Sequence, residues 1–324
     1  MLEIYEKWPL QVRESLGLNL PKQGSGGYTK VLVAGVGGSG IVGDFLNRLS
    51  YQYHTRVPII TVKDMGIPME LVDETTLLIA VSYSGNTLEM LTTVKEAVEA
   101  GATIKGVTSG GKLKELLGDE NIVKVPSGYP PRASFPYLFI PAIRILINEG
   151  VIGLEEDELN KLAFHMDYEK NRIISKASTL ADLIIKGQGK TPVMVTCRKY
   201  YPVVLRGRQE FAENSKLVSI AEEVPDAGHN LLVGYSRSNP KWLIVGVFPQ
   251  EELCDNIVES YLKVQGSVDF RIVLNGEGIM QKMMSGAWLF GFTSVFIARN
   301  KGLDPEDISQ IKAYRKLLEE TFTQ

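Results

Sequence analysis

The side chains best placed for chemistry are three hydroxyls that follow an apolar, strand-like run. Ser82, Ser84 and Thr87 occur in VSYSGNTLEML, between the run TTLLIAVS (75–82) and a helical pattern. Hydroxyls and backbone N–H groups at the start of a helix can together bind an anion such as a phosphate. The same residues could instead only cap the helix, with Asn86 or Thr87 at its N-terminus.

A glycine-rich turn supplies a second possible anion site. The run KVLVAG (30–35) leads directly into GVGGSG, and IVGDFLNRL then has a helical pattern. Gly35, Gly37 and Gly40 also satisfy the dinucleotide-binding spacing GxGxxG, with Asp64 near the end of the second predicted strand. An NAD-linked oxidoreductase, a phosphate site and a turn that binds nothing all fit this turn alone. The hydroxyl cluster favours phosphate, because a dinucleotide site needs no second cradle.

A carboxylate that could act as a base lies in the helical segment RQEFAENSKL. The candidate is Glu213, and Glu210, three positions earlier, is predicted to share its helix face. Arg206, Arg208 and Lys216 could form ion pairs with it, and a solvated or ion-paired glutamate is the ordinary interpretation of such a helix. The segment therefore leaves a catalytic and a structural role open.

Histidine is scarce, which lets each of the three be considered separately. His229 follows PDAG in a loop after a predicted strand, where α/β enzymes place catalytic groups. His54 lies in a polar connection and His165 on a charged helical segment, so both are predicted to be surface residues. His229 is the candidate acid or base.

The candidate cation is Arg132, in YPPRASFPYLFIP. Two preceding prolines favour a stiff, extended backbone, and Ser134 is predicted to cap the next helix. The guanidinium would then lie at the mouth of the first predicted sheet, where it could stabilise a negatively charged oxygen. The alternative is a structural arginine that ties the loop to a nearby carboxylate.

The elements that must position these residues form two α/β halves. Short runs rich in Val, Ile and Thr alternate with helical patterns, which predicts two flavodoxin-like sheets of parallel strands flanked by helices. The predicted strands are KVLVAG (30–35), VPIITV (57–62), TTLLIAVS (75–82), ATIKGVTS (102–109), NIVKVPS (121–127), PVMVTC (192–197), KLVSIAEE (216–223), KWLIVGVF (241–248) and VDFRIVLN (268–275).

Domain boundaries follow from the same alternation. Residues 1–150 are predicted to form a phosphate-binding domain with an N-terminal helix, and 151–190 a connecting pair of helices. Residues 191–324 are predicted to form a second domain that carries the candidate Glu213 and His229 and ends in a long helix near 278–300 and a C-terminal helix.

Composition narrows the class of protein. The net charge of −3 in 324 residues provides no broad positive field, so neither nucleic acid nor an anionic membrane is an expected partner. Cys197 and Cys254 have no CxxC or His-rich spacing, so they are predicted to be ordinary thiols and no metal site is expected. Because the N-terminal residues are charged and no apolar window could span a bilayer, the sequence predicts a cytoplasmic protein.

The hydroxyl and glycine segments resemble the sugar-isomerase (SIS) domain family. AVSYSGNTLEML is similar to its phosphate-binding Ser-x-Ser-Gly-x-Thr motif, and GVGGSG to its first glycine-rich loop. Members bind sugar phosphates without an obligatory cofactor. The resemblance therefore implies that no cofactor is needed and that five residues contact the ligand, namely Gly38, Ser39, Ser82, Ser84 and Thr87.

Over nearly its whole length the chain also resembles one branch, the bifunctional phosphoglucose/phosphomannose isomerases of glycolysis and gluconeogenesis. The similar segments are PPRASFPYL, ENSK and DAGHN. The resemblance implies that Glu213 shuttles a proton between C1 and C2 of the sugar, that His229 assists ring opening and that Arg132 stabilises the enediolate. It also implies a homodimer in which the histidine is donated across the interface, with the active site between the two domains and near that interface.

The C-terminal segment departs from the pattern of this branch. After a Gly-x-Asp-Pro turn the branch has a lysine that reaches the substrate, whereas this chain has Arg315, flanked by Lys312 and Lys316. Ile308 stands where the branch usually has a polar residue. An arginine stays charged at neutral pH and cannot act as an acid. A sugar-phosphate-binding regulatory protein with little catalytic activity is therefore the alternative to an isomerase.

Overall fold

The computed structural model describes residues 1–187, 189–235, 241–266 and 268–322. The strands are β1 (Lys30–Ala34), β2 (Ile59–Val62), β3 (Thr76–Val81), β4 (Thr103–Thr108), β5 (Ile122–Lys124), β6 (Thr191–Cys197), β7 (Ile220–Val224), β8 (Trp242–Phe248) and β9 (Phe270–Val273). The helices are α1 (Leu2–Glu6), α2 (Trp8–Leu16), α3 (Gly37–Leu49), α4 (Leu88–Glu99), α5 (Gly111–Leu117), α6 (Phe135–Asn148), α7 (Glu156–Lys186), α8 (Tyr201–Ser215), α9 (Leu231–Gly234), α10 (Glu252–Gln265), α11 (Ile279–Asn300) and α12 (Ser309–Phe322).

The first sheet has five parallel strands in the order β2-β1-β3-β4-β5. This is the flavodoxin-like order, and it confirms the predicted architecture. Every residue of β3 is buried, because helices cover both faces of the sheet. On one face Leu32 and Leu78 belong to the same apolar cluster as Met90 and Val94 of α4.

The second sheet repeats this topology with four parallel strands in the order β7-β6-β8-β9. All nine predicted strands are present, within a few residues of their predicted ends. In both sheets the first strand of the unit pairs with the second on one side and the third on the other. The connections that leave the two central neighbouring strands of each sheet therefore run in opposite directions. This divergence opens a crevice at the carboxyl ends of those strands.

Residues 151–190 do not form the predicted pair of helices. α7 is instead one continuous helix of 31 residues. Its apolar residues, including Leu159, Leu162 and Met166, recur at helical spacing and are buried. No glycine or proline interrupts this pattern, so nothing in the sequence ends the helix midway.

The chain divides into two compact units. One contains Lys7–Phe164 and the segment from Ile308 onwards, with the first sheet, and the other contains Met1–Glu6 and His165–Asp307, with the second sheet. This division runs through α7 and groups the C-terminal helix with the first sheet, whereas the predicted domain ranges kept that helix with the second. We call these bodies the first-sheet unit and the second-sheet unit.

Cys197 and Cys254 form a disulfide bond, so the prediction of ordinary thiols was wrong. Cys197 is the last residue of β6, and Cys254 lies in the first turn of α10. Strand β8 pairs with β6, and helix α10, which follows β8, packs against both strands. This return brings the two Cα atoms to 5.5 Å, within the range that a disulfide requires, although they are 57 positions apart.

None of the described helices is long and apolar enough to cross a membrane.

Candidate active site

The glycine-rich turn lies at the carboxyl end of β1, as predicted. Strand β1 ends at Ala34, and α3 begins at Gly37. The turn is tight: a Cβ atom on Gly40 would lie only 2.4 Å from the carbonyl oxygen of Gly35, so glycine is required there. The N-terminus of α3 therefore lies at the edge of the sheet where β3 also ends, and Ser39 N–H there donates to the carbonyl oxygen of Val36 at 3.1 Å.

The hydroxyl cluster lies at the end of β3, beside this turn. The Ser82 and Thr87 hydroxyls are 3.1 Å apart, and the Ser82 hydroxyl also accepts a hydrogen bond from Gly85 N–H. The Ser39 hydroxyl accepts from Tyr83 N–H at 3.4 Å, which joins the two loops. Ser82 is 2% exposed. Ser39, Ser82 and Thr87 thus belong to one hydrogen-bonded edge of the sheet.

The alternative interpretation of this motif was that Asn86 or Thr87 only caps helix α4, and the structure agrees with it in part. Thr87 occupies the N-cap position of α4 but makes no side-chain capping hydrogen bond. Asn86 accepts instead from Lys112 N–H at 3.0 Å, and Ser84 is exposed with its hydroxyl accepting from Asn86 N–H. Gly85 has φ 69°, a left-handed conformation that favours glycine. The motif therefore leaves the first turn of α4 available to a ligand.

Arg315 lies close to this motif. Ser84, Asn86 and Thr87 line a small cleft together with Arg315 of α12. Two carboxylate residues, Glu89 and Glu319, line the same cleft. The cleft is contained in the first-sheet unit, which holds both α4 and α12. A guanidinium therefore faces the region where the sequence predicts a bound phosphate.

Arg132 is also at this edge, and the residue is 3% exposed. Its backbone passes the glycine-rich turn, since a Cβ atom on Gly38 would lie 3.5 Å from Arg132 N. Ser134 does not cap α6 as predicted. Its hydroxyl donates to the carbonyl oxygens of Pro130 and Pro131 and so closes the short turn that carries Arg132.

Glu213 lies near the C-terminal end of α8 in the second-sheet unit. It is partly exposed, whereas Glu210, three positions earlier on the same helix, is completely buried, so the two neighbours differ in burial. The face of α8 that carries Glu210 packs against α11. Glu213 lies at the margin of that buried face.

A buried polar network next to Glu213 was missed by sequence reasoning. Arg206 pairs with Glu210 at 2.6 Å, and Asn214 donates to Glu210, to the Tyr5 hydroxyl and to the Ser294 hydroxyl. Burial, and then the neighbouring Glu210 charge, holds the pKa of the Tyr5 phenol well above its usual value. The spacing of residues 206, 210 and 214 at successive turns was the available signal, because it marks one helix face.

His229 is exposed and lies at the end of a 3₁₀ turn, Asp226–His229, just beyond β7. It lines an apolar groove of about 400 Å³, which we call the His229 groove. The groove is formed by the end of β7, the following turn, the short helix α9 and helix α10, and its lining includes Val224, Pro225, Leu232, Leu253, Ile257 and Val264. His229 also borders a smaller cleft with Arg198 and Glu223, which pair at 2.8 Å.

The other two histidines differ from each other. His54 is exposed, as predicted. His165 is partly buried, and its Nε2 lies 3.0 Å from the Ser285 hydroxyl. Burial lowers the pKa of His165, against the opposing effects of Glu169 and Glu277. The prediction of a surface position was wrong for His165, because α7 is one long helix whose inner face is buried.

No group of three His, Cys, Asp or Glu side chains within the described residues is arranged to hold a metal ion.

Comparison with protein families gives two matches. Residues 28–112 match the SIS domain, and residues 173–318 match the bacterial phospho-glucose isomerase C-terminal SIS domain. The chain is also similar in fold to the C-terminal domain of glucosamine-fructose-6-phosphate aminotransferase from Francisella tularensis, with a TM-score of 0.75 and 15% identity over 95% of this chain and 98% of that one. At this identity the likeness concerns the fold.

Curated relatives cover most of the chain. The bifunctional phosphoglucose/phosphomannose isomerase of Thermoplasma acidophilum is 28% identical over 90% of both chains, and that of Aeropyrum pernix 28% identical over 99% of both. A D-glucosamine-6-phosphate 4-epimerase from Sulfolobus acidocaldarius is also 28% identical, over 98% of this chain and 97% of its own. The chain therefore contains SIS domain sequence in both halves, and it is similar over nearly its whole length to the bifunctional phosphoglucose/phosphomannose isomerases, which are sugar-phosphate isomerases.

Proposed function

We propose that the protein is an aldose–ketose isomerase that interconverts fructose 6-phosphate with glucose 6-phosphate, mannose 6-phosphate or both. The observation that carries this proposal is the cluster of Ser39, Ser82 and Thr87 at one sheet edge beside Arg132, in a chain whose relatives carry those activities in their names. We also propose that the protein acts in the cytoplasm, within glycolysis or gluconeogenesis.

In this proposal the 6-phosphate binds at the first sheet. Hydroxyls of Ser82, Ser84 and Thr87 and the N-termini of α3 and α4 donate to its oxygens, and Gly38 and Ser39 complete the cradle. Arg315 supplies a positive charge from the opposite side of the cleft, which supports binding of an anion despite Glu89 and Glu319. No cofactor takes part in the proposed reaction.

Among the described residues, the crevice of the second sheet has no comparable cradle. There Glu251, which follows β8, accepts hydrogen bonds from Lys199 at 2.8 Å and from the Tyr200 hydroxyl at 2.5 Å, and Lys282 lies 3.4 Å away. The protein's own carboxylate thus pairs with the cations at this edge. This arrangement supports assigning the phosphate to the first sheet.

The proposed chemistry is proton transfer through a cis-enediolate. Starting from the open ketose, Glu213 takes a proton from C1, the electron pair forms the C1–C2 double bond, and negative charge moves onto O2. Arg132 stabilises this oxygen electrostatically. A proton then passes from O1 to O2, and Glu213 returns its proton to C2, which leaves an aldehyde at C1. The face of C2 that receives the proton decides between glucose and mannose.

His229 is proposed to assist ring opening in a homodimer, across the subunit interface. The surroundings of His229 support a protein interface at this position, because Leu253 and Val264 of the groove are 77% and 68% exposed. Exposed apolar side chains around a groove are typical of protein interfaces. Sedimentation of wild type and Leu253→Glu tests this: a dimer that dissociates in the variant supports the interface, and a monomeric wild type contradicts it.

Turnover of fructose 6-phosphate by the purified protein tests the proposed function. Wild type should form glucose 6-phosphate, mannose 6-phosphate or both, and Glu213→Gln should lose at least about 100-fold in kcat, as expected when a general base is removed. Glu115→Gln, which changes an exposed carboxylate on α5, serves as the control. Saturable binding without turnover would favour the regulatory alternative, and reaction of glucosamine 6-phosphate at C4 would favour the activity named for the Sulfolobus relative.

A further inference from the structure

Helix α8 ends at Lys216, a residue other than glycine that has a positive φ angle. It is the C-cap residue of the helix, with φ 52° and ψ 35°, which is the left-handed conformation that often closes a helix. Its backbone N–H donates to the carbonyl oxygen of Phe211. The left-handed conformation of Lys216 therefore ends the helix three positions after Glu213.

The side chain of Lys216 turns back onto backbone carbonyls. Its ammonium donates to the carbonyl oxygen of Glu213 at 2.7 Å, of Asp304 at 2.9 Å and of Asp307 at 2.8 Å. A lysine ammonium has three N–H donors, so these three bonds use all of them. The sequence suggested that Lys216 could pair with carboxylates, whereas these bonds go to main-chain oxygens.

These bonds have a clear electrostatic reason. The last carbonyls of a helix lack helical partners and carry partial negative charge, so a cation there is stabilising. The remaining two acceptors lie in the loop that follows α11, where Asp304 also accepts from Glu306 N–H through its side chain at 2.8 Å. Lys216 thus ties the last turn of α8 to the loop 304–307 within the second-sheet unit.

We propose that Lys216 is a positioning residue for the carboxylate of Glu213. This inference rests on the proposed function, in which Glu213 is the base. Anchoring the main-chain carbonyl of Glu213 itself fixes the point from which its side chain reaches the substrate. A misplacement of about 1 Å at a catalytic group can lower a rate by about 100-fold. Lys216 does not need to contact the substrate for this effect.

The test compares three substitutions in the full-length protein. Lys216→Asn removes the ammonium but keeps a residue type that tolerates the left-handed conformation. Lys216→Arg keeps a cation that can donate to the same carbonyls. Lys301→Asn removes a matched exposed lysine at the C-terminal end of α11. Steady-state kinetics with fructose 6-phosphate and thermal unfolding are measured for each.

We expect Lys216→Asn to lose about 10- to 100-fold in kcat with KM changed less than about threefold. Lys216→Arg should recover most of the loss, and Lys301→Asn should match wild type. A folded Lys216→Asn with unchanged kcat, or with a raised KM and unchanged kcat, would overturn the positioning role alone. If wild type itself shows no turnover, the proposed function fails first, and the positioning role fails with it.

Discussion

Arg315 differs from the lysine expected in the isomerase branch that this chain resembles, and its position in the structure suggests what the difference does. It lies across a narrow cleft from Ser84 and Thr87. A planar guanidinium is well suited to phosphate oxygens, which it can engage with two donors at once. A residue that is always charged suits binding better than proton transfer, so we expect Arg315 to act on substrate affinity.

Arg315→Met should therefore raise the KM for fructose 6-phosphate by about tenfold and change kcat little, since a hydrogen bond to a charged group contributes about 1.5 kcal/mol or more. Lys312→Met and Lys316→Met, on the same helix, should behave like wild type. Steady-state kinetics of the three variants measure this. A fall in kcat at constant KM would instead assign Arg315 to the chemical step.

At the residue scale, the sequence predicted the loop positions well and the buried polar residues poorly. Ser82 and Thr87 follow a strand, and the carboxyl ends of parallel strands meet at one edge, so their proximity could be predicted. Arg206 was expected only as a possible ion-pair partner of Glu213, and His165 as a surface residue, whereas Arg206 and Glu210 are buried and His165 is partly buried. Their burial depends on which helix packs against which face, and no single helix carries that information.

Helices α8 and α11 form the element pair on which the proposed base depends. α8 packs along α11, and the Arg206–Glu210 pair is completely enclosed between them and α1. Removing one partner of a buried ion pair leaves an uncompensated charge in a medium that solvates it poorly. We therefore expect substitution of either partner alone to weaken the packing of α8 against α11.

Glu210→Ala should lower the free energy of unfolding by about 3–5 kcal/mol, the usual cost of breaking a buried pair. Glu213→Ala, one turn along on the partly exposed margin, should cost about 1 kcal/mol or less. The double substitution Arg206→Met, Glu210→Leu should recover most of the loss because no charge stays buried. Denaturant unfolding followed by circular dichroism compares these variants, and equal losses for Glu210→Ala and Glu213→Ala would contradict the argument.

The order of the elements was predictable, but their lengths and groupings were less so. Alternating apolar runs predicted both parallel sheets, because buried strands are short and rich in β-branched residues. The periodic pattern of residues 151–190 did not show whether one helix or two would form, since a polar connection and an exposed helix face have similar compositions. Similarly, the exposed α12 gave no sequence signal for the sheet with which it is grouped.

For the whole molecule, the Cys197–Cys254 bond is the main covalent constraint. It closes a loop across 57 positions that contains β7, the 3₁₀ turn of His229 and β8. In the chain-entropy treatment, a loop of this length stabilises the folded state by about 4 kcal/mol. The sequence could not show this pairing, because only the return of α10 onto β6 brings the two residues together.

Reduction of the bond, or the substitution of both cysteines by serine, should therefore lower the free energy of unfolding by about 2–4 kcal/mol. Thermal unfolding with and without reductant measures this, and a free-thiol assay under denaturing conditions should detect no thiol in the unreduced protein. An unchanged midpoint after complete reduction would show that the bond adds nothing to stability.

The same bond changes what a single cut in the chain does. A protease that cleaves once between Cys197 and Cys254 breaks the backbone but leaves its two pieces covalently joined. The nicked protein should migrate as one band on a denaturing gel without reductant and as two bands with it. Since the peptide bearing His229 lies inside this ring, such a cut would retain the histidine within the molecule.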